Sequence, residues 1–206
     1  MSATLIINAL VVNEGRTVEA DVRIRDGRIT QIGGGLTCYG DEELVDAACR
    51  CLLPGLIEVQ TGPVDAQSLS ALLAGGVTSH AGLSAAAAGG LLNHADTAPP
   101  AADGSAEAVH LLALLEAVLD GTDVLEALVE RVIHARARRL RLHERGYVRE
   151  DAWADLVLID LAQPGVGADG RAYRASVVGT WVNGEQVWDG ERLRDVRPGR
   201  ALAFTA

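Results

Sequence analysis

Strand-like sequence lies at the two ends of this chain, with an alanine- and leucine-rich stretch between, and that split limits what it can fold into. At the front, Thr4 to Val12 is rich in Leu, Ile and Val. Ala20-Asp21-Val22-Arg23-Ile24-Arg25 then alternates apolar with polar residues, the pattern of a half-buried strand. Asp26-Gly27 supplies the positive φ angles of a tight hairpin, Arg28-Ile29-Thr30-Gln31-Ile32 returns, and Gly33-Gly34-Gly35 ends the return strand. At the back, 155–160 and 176–182 repeat the style. There Asn183-Gly184, followed by Gln186-Val187-Trp188, is the strongest hairpin signal in the chain. Neither block is long enough to make a convincing sheet alone. The economical solution is a composite β-sandwich built from residues 1–57 and 154–206, each burying its apolar face against the other. The expected class is α+β, with residues 58–153 as a mainly helical insertion.

Within that insertion, Asp65 is placed to cap a short helix through Leu72, stopped by Gly75-Gly76. Residues 81–104 are low in complexity, dominated by Ala, Gly and Pro, and predict a flexible connection of poor core potential. Ser105 then caps a helix ending at Asp120-Gly121, and Asp123-Val124-Leu125-Glu126 has the form of a capping box for a second. The two predict an αα-hairpin over 105–143. Leu125, Leu128, Val129, Val132 and Ile133 fall on one continuous stripe of the second helix. The first, over 106–119, is apolar almost all round and needs cover on several sides. The expectation is that a protein partner or a second copy supplies some of it.

Composition narrows the function classes. The formal charge of −10 argues against nucleic acid or an anionic membrane surface as the main partner. No apolar run approaches the roughly 18 to 20 residues of a membrane-spanning helix, and Met1-Ser2-Ala3-Thr4 lacks a basic export region, so a cytoplasmic location is expected. Aromatics are only 3%, which leaves Val, Leu, Ile and Ala to build the core. Cys38, Cys49 and Cys51 are an odd set with poor disulfide spacing and read as reduced thiols in or near a strand. All 18 basic residues are arginine, which excludes chemistry that needs a lysine amine or a carboxylated lysine.

Leu52-Leu53-Pro54-Gly55-Leu56-Ile57 and Ala154-Asp155-Leu156-Val157-Leu158-Ile159-Asp160 resemble the flanks of cyclic amidohydrolases, dihydroorotases most closely. In that family a metal-binding (β/α)₈ barrel lies between these flanks, and such a barrel typically takes about 250 residues. Here 58–153 offers 96. The resemblance therefore implies that the helical insertion is the remnant of a truncated barrel.

The family motif runs from Pro-Gly-(Leu/Met)-Ile-Asp into a His-x-His pair, whose imidazoles share one face of a strand and reach one zinc. This chain continues Glu58-Val59-Gln60-Thr61-Gly62-Pro63, with Glu58 in place of Asp and no histidine. Residues 71–79 resemble the family's first barrel helix leading into its second strand. Ala95-Asp96-Thr97-Ala98-Pro99-Pro100 resembles Thr-Asp-His-Ala-Pro-His at the last barrel strand, with Asp96 at the aspartate that is zinc ligand and general base. Thr97 and Pro100 stand at the two His positions. From Val109 the likeness is steady: His134-Ala135-Arg136-Ala137-Arg138, Arg145-Gly146-Tyr147-Val148-Arg149-Glu150, Trp153-Ala154-Asp155-Leu156-Val157 and Val178-Gly179-Thr180-Trp181-Val182-Asn183-Gly184 all follow the family pattern.

A zinc-dependent amidase needs at least three protein ligands and an open position. Asp96 alone survives in a matching place and is the one catalytic candidate. No metal or other cofactor is therefore expected. The alternative is a rebuilt zinc site of His94, Asp96 and His80, since His94-Ala95-Asp96 has the ligand spacing of a strand. His134 falls at a family position with a structural role. Arg136, Arg138, Arg139, Arg141 and Arg145 read as cations favoured near a helix C-terminus, and Asp155 as the residue that fixes the turn into its strand. The expected function is that of a degenerate dihydroorotase-like homologue without catalysis, a structural or assembly partner with aspartate carbamoyltransferase as the first candidate. The alternative is a zinc-dependent hydrolase of cyclic amides.

Overall fold

The computed structural model describes residues 3–59, 66–95, 110–167 and 169–204. Strands β1 (Ala3–Asn13), β2 (Arg16–Arg25) and β3 (Arg28–Gly33) form an antiparallel meander. Its second turn is Asp26-Gly27, both with positive φ, as the sequence predicts. β4 (Glu43–Asp46) and β5 (Cys51–Pro54) pair with β1 in parallel at different heights, on either side of the bulge at Asn8. From the far end of the chain come β9 (Leu156–Asp160), β12 (Ser176–Val182) and β13 (Glu185–Trp188), the last two joined through Asn183-Gly184.

The two ends meet strand to strand. β5 pairs antiparallel with β9 from Cys51↔Ile159 to Pro54↔Leu156, which gives one eight-stranded mixed sheet in the order β13-β12-β9-β5-β1-β2-β3, with β4 also on β1. Hydrogen bonds along the β5–β9 edge thus join the two blocks into one sheet. The central strands are covered on both sides. Leu52, Leu156 and Leu158 pack with Ile6, Val22, Ile24, Ile29 and Trp181. Their neighbours Leu53, Val157 and Ile159 pack with Leu69, Leu73, Leu112, Leu115 and Leu128 of the helices. Burial on both faces is why 156–159 is an unbroken apolar run while β2 alternates.

The intervening segment builds a second, three-stranded parallel sheet. β6 (Leu56–Val59), β7 (Val77–Ala81) and β8 (Asn93–Ala95) lie in that order, with α1 (Ala66–Ala74) crossing over between the first two. β6 follows β5 directly through Gly55, where a Cβ would stand 2.2 Å from Thr78 Cγ2, so only glycine fits. These strands are short and lack two-residue alternation, so periodicity reads the stretch as mainly helical, although the resemblance at 71–79 marks the step from helix into β7. Residues 81–95, read as part of a flexible connection, hold the short helix α2 (Ala85–Ala88), capped by Ser84, and then β8. Leu83, Leu91 and Leu92 are buried there, and the small alanines let the backbone pack close.

The predicted αα-hairpin is α3 (Leu111–Leu119) followed by α4 (Leu125–Val129), a π-helical turn (Glu130–His134) and α5 (Ala135–Arg139). Leu125, Leu128, Val129 and Ile133 are buried as the stripe requires. The capping box does not form. Glu126 Oε1 instead accepts from Thr17 Oγ1 at 2.6 Å, and Asp123 pairs with Arg131, so tertiary partners outcompete the local reciprocal bond. The caps expected at Asp65 and Ser105 lie outside the described residues. Leu111, Leu112 and Leu115 of α3 are buried in the chain's own core, and Leu114, Val118 and Leu119 pack against it. No helix among the described residues is long and apolar enough to cross a membrane.

A buried polar network ties the two sheets together. Asp155, 2% exposed, pairs with Arg145 and accepts from Asn93 Nδ2 at 3.1 Å and from Asn183 N–H at 2.8 Å. Asn93 also donates to Ser79 Oγ, and Asn183 Nδ2 donates to Asn93 Oδ1 at 2.7 Å. Asp155 thereby fixes far more than its own turn. Asp155→Ala strands the Arg145 guanidinium in a dry site, a change that typically costs about 3–5 kcal/mol. Urea unfolding checks this, and a loss under about 1 kcal/mol, the scale of a surface ion pair, would contradict it.

Candidate functional site

The side chains singled out for chemistry converge on the small parallel sheet. Glu58 of β6 is the register partner of His80 on β7, and His80 is the partner of His94 on β8. Partnered residues of parallel strands point to the same face, about 4.8 Å apart. The three therefore stand in a row. Glu58 and His80 are each 2% exposed, and His94 is half-buried. Asp96, the candidate base and ligand, lies outside the described residues.

Electrostatics sets what the row can do. Arg136 of α5 donates to Ile57 O at 2.7 Å, and the same Nη1 lies 3.7 Å from Glu58 Oε2. A fixed guanidinium thus stands beside the carboxylate. Among the described residues His80 Nδ1 has no hydrogen-bond partner, and burial lowers the ring's pKa, so the imidazole is neutral near pH 7. His94 Nδ1 lies 3.4 Å from Leu92 O. Among the described residues no three His, Cys, Asp or Glu side chains are grouped so as to hold a metal ion. Two imidazoles and a carboxylate are donor types that zinc accepts, but here the Arg136 guanidinium stands 3.7 Å from the carboxylate.

The remaining candidates are engaged elsewhere. His134 Nδ1–H donates to Gly146 O at 2.7 Å, its Nε2 accepts from Glu14 N–H at 3.0 Å, and the ring stacks on Tyr147 at 4.7 Å. Both nitrogens are used, and desolvation pushes its pKa down, as befits a structural neutral histidine. Within the arginine run, Arg136 reaches β6 and Arg145 reaches buried Asp155, while Arg138 pairs with Glu130 at the surface. Cys51 is buried in β5, and burial pushes its thiol up to about 11. Sequence reasoning passed over Asn93 and Ser79, whose buried amide and hydroxyl join the Asp155 network. It also missed the stacking of Arg28, Arg200 and Arg145 about Trp153, at 4.2, 4.6 and 4.9 Å from the ring. These residues are far apart in the chain, and no local pattern links them.

No family model matches the chain. It is 39% identical over 85 residues to an N-acyl-D-aspartate deacylase of Alcaligenes xylosoxydans xylosoxydans, a match covering 38% of this chain and 16% of that protein. It is 44% identical over 59 residues to a dihydroorotase of Ligilactobacillus salivarius, covering 28% and 14%. The matched stretches thus span under a fifth of these curated relatives. Among solved structures, a D-hydantoinase superposes with a TM-score of 0.77 at 14% identity, the alignment covering 98% of each chain. Sequence relatives and fold both show the resemblance to the amidohydrolase superfamily first carried by the motifs at 52–57 and 145–160.

The lowered pKa values give a sign for pH dependence. His80 and His134 bind protons more readily unfolded, at about 6.5, than folded. Their contribution to stability is complete above that value and is lost as pH falls through their folded pKa values. The urea midpoint is expected to drop between pH 7.5 and 5.5, above the range where carboxylates titrate. Imidazole NMR signals from both residues should titrate below 6.5; a flat midpoint or a higher titration would refute the assignment.

Proposed function

We propose that this chain, with its amidohydrolase-superfamily fold, is a degenerate dihydroorotase-like homologue that does not catalyse and instead serves as a structural or assembly partner. In this reading residues 1–57 and 154–206 are the composite β domain of such an enzyme, and 58–153 are what remains of its barrel. One observation carries the proposal: Arg136, held by Ile57 O, brings a guanidinium to 3.7 Å from Glu58, two residues before the first position where the resemblance expects a ligand histidine. A second cation beside that guanidinium would meet direct repulsion. β6 as far as Val59 also brings no imidazole to replace the missing His-x-His pair. The protein partner to test first is aspartate carbamoyltransferase, and within the 106–119 stretch the half-buried Leu114, Val118 and Leu119 of α3 are the candidate surface for a partner or for self-association.

A second reading rests on His80 and His94, which are register neighbours, and on the unsatisfied Nδ1 of His80. With Asp96 following β8 in sequence, these three would form the rebuilt zinc site of a cyclic-amide hydrolase. The two readings part cleanly in one experiment. The first expects no dihydroorotate ring opening above the buffer rate, with or without added zinc, and no change on His94→Ala. Zinc at about one ion per chain, lost with ring opening on His80→Ala or His94→Ala, would establish the second. The assembly role is checked separately, by co-migration with aspartate carbamoyltransferase from the same source in size-exclusion chromatography. Independent elution at micromolar concentrations removes that partner from consideration.

A further inference from the structure

A parallel sheet of three strands has two open edges, and an open edge offers unpaired N–H and C=O groups to any strand that approaches. On β8 that edge is taken by the chain's own C-terminal segment. His94 N–H donates to Arg200 O at 2.9 Å, and Leu202 N–H donates to His94 O at 2.7 Å, so Ala201 pairs with His94 in parallel. Just before, Gly199 N–H donates to Gly90 O at 2.6 Å. A Cβ on Gly199 would stand 2.3 Å from Leu92 O, so only glycine allows this approach.

Side chains hold the same segment from both sides. Asn183 Nδ2 donates to Pro198 O at 2.7 Å, and Asn93 Oδ1 accepts from Arg200 N–H at 3.2 Å. The Arg200 guanidinium lies over the Trp153 ring. Leu202 is buried among Ile57, Ala81, Ala137, Leu140 and Leu142, and Phe204 packs on the same cluster. In direction and register the segment stands where a closed barrel would place its next strand.

We propose that residues 199–204 are a strap: a stand-in strand that caps the edge of β8 and keeps the parallel sheet from pairing with a second copy of this chain. The strap forms no ladder with the eight-stranded sheet, so it can open locally while that sheet stays folded. Release would bare the backbone of 93–95 for strand addition by the same edge of another molecule. This holds whether or not the chain is catalytic.

The test uses the full chain and two variants, Gly199→Val, which forces the backbones apart, and Leu202→Asp, which removes the apolar anchor. Amide exchange at His94 should quicken by about tenfold or more. Light scattering should show the variant's mass at least doubling relative to the unaltered chain as concentration rises. A synthetic peptide of residues 196–204 should reverse the association. Unchanged mass and unchanged His94 exchange in both variants would overturn the proposal, as would association that the peptide leaves intact. Near-UV circular dichroism guards against simple unfolding. If only Gly199→Val loses its signal, Leu202→Asp decides; loss in both also overturns the strap, because a releasable segment must leave the rest folded.

Discussion

The buried carboxylate of Asp155 is the point on which the remaining architecture hangs. It receives the Arg145 guanidinium from the stretch after α5, the Asn93 amide from β8, and the Asn183 backbone from the turn between β12 and β13. Its own carbonyl accepts from Gly55 N–H at the junction of the two sheets. Four segments distant in sequence are thereby set against one another by a single acidic side chain. Burying an ion pair is worthwhile only when every polar atom is well placed, and partial satisfaction would be worse than an apolar core. The arrangement therefore specifies one geometry more than it adds stability.

The β5–β9 pairing rests on that geometry. It brings the front of the chain alongside the back and turns two marginal blocks into one eight-stranded sheet. Because apolar residues line both faces of these central strands, the sheet needs cover on both. Its own outer strands close over one side, and α1, α3 and α4 close over the other. The eight-stranded sheet draws no strand from 58–153.

Charge placement decides the character of the small sheet. Glu58, His80 and His94 would make an inviting row in isolation, yet Arg136 reaches in from α5 and supplies the compensating positive charge from within the chain. At the sheet's edge, the C-terminal segment pairs Ala201 in parallel with His94.

Local chemistry made much of this legible beforehand. Asp26-Gly27 and Asn183-Gly184 turn as their residues demand, because positive φ at those positions is cheap for few others. The Leu125–Ile133 stripe is buried, the motifs at 52–57 and 145–160 announced the fold, and the sequence alone ruled out lysine chemistry. Tertiary structure decided the rest. The parallel strands β7 and β8 carry no period of their own, since β7 is buried throughout and β8 is only three residues long. Glu126 left its capping box for Thr17, a partner brought close only by folding. The pairing of Arg136 with Glu58, of Asp155 with Asn93, and of Ala201 with His94 joins residues tens of positions apart. Periodicity reports only a residue's neighbours along the chain, whereas these contacts arise from where the chain returns.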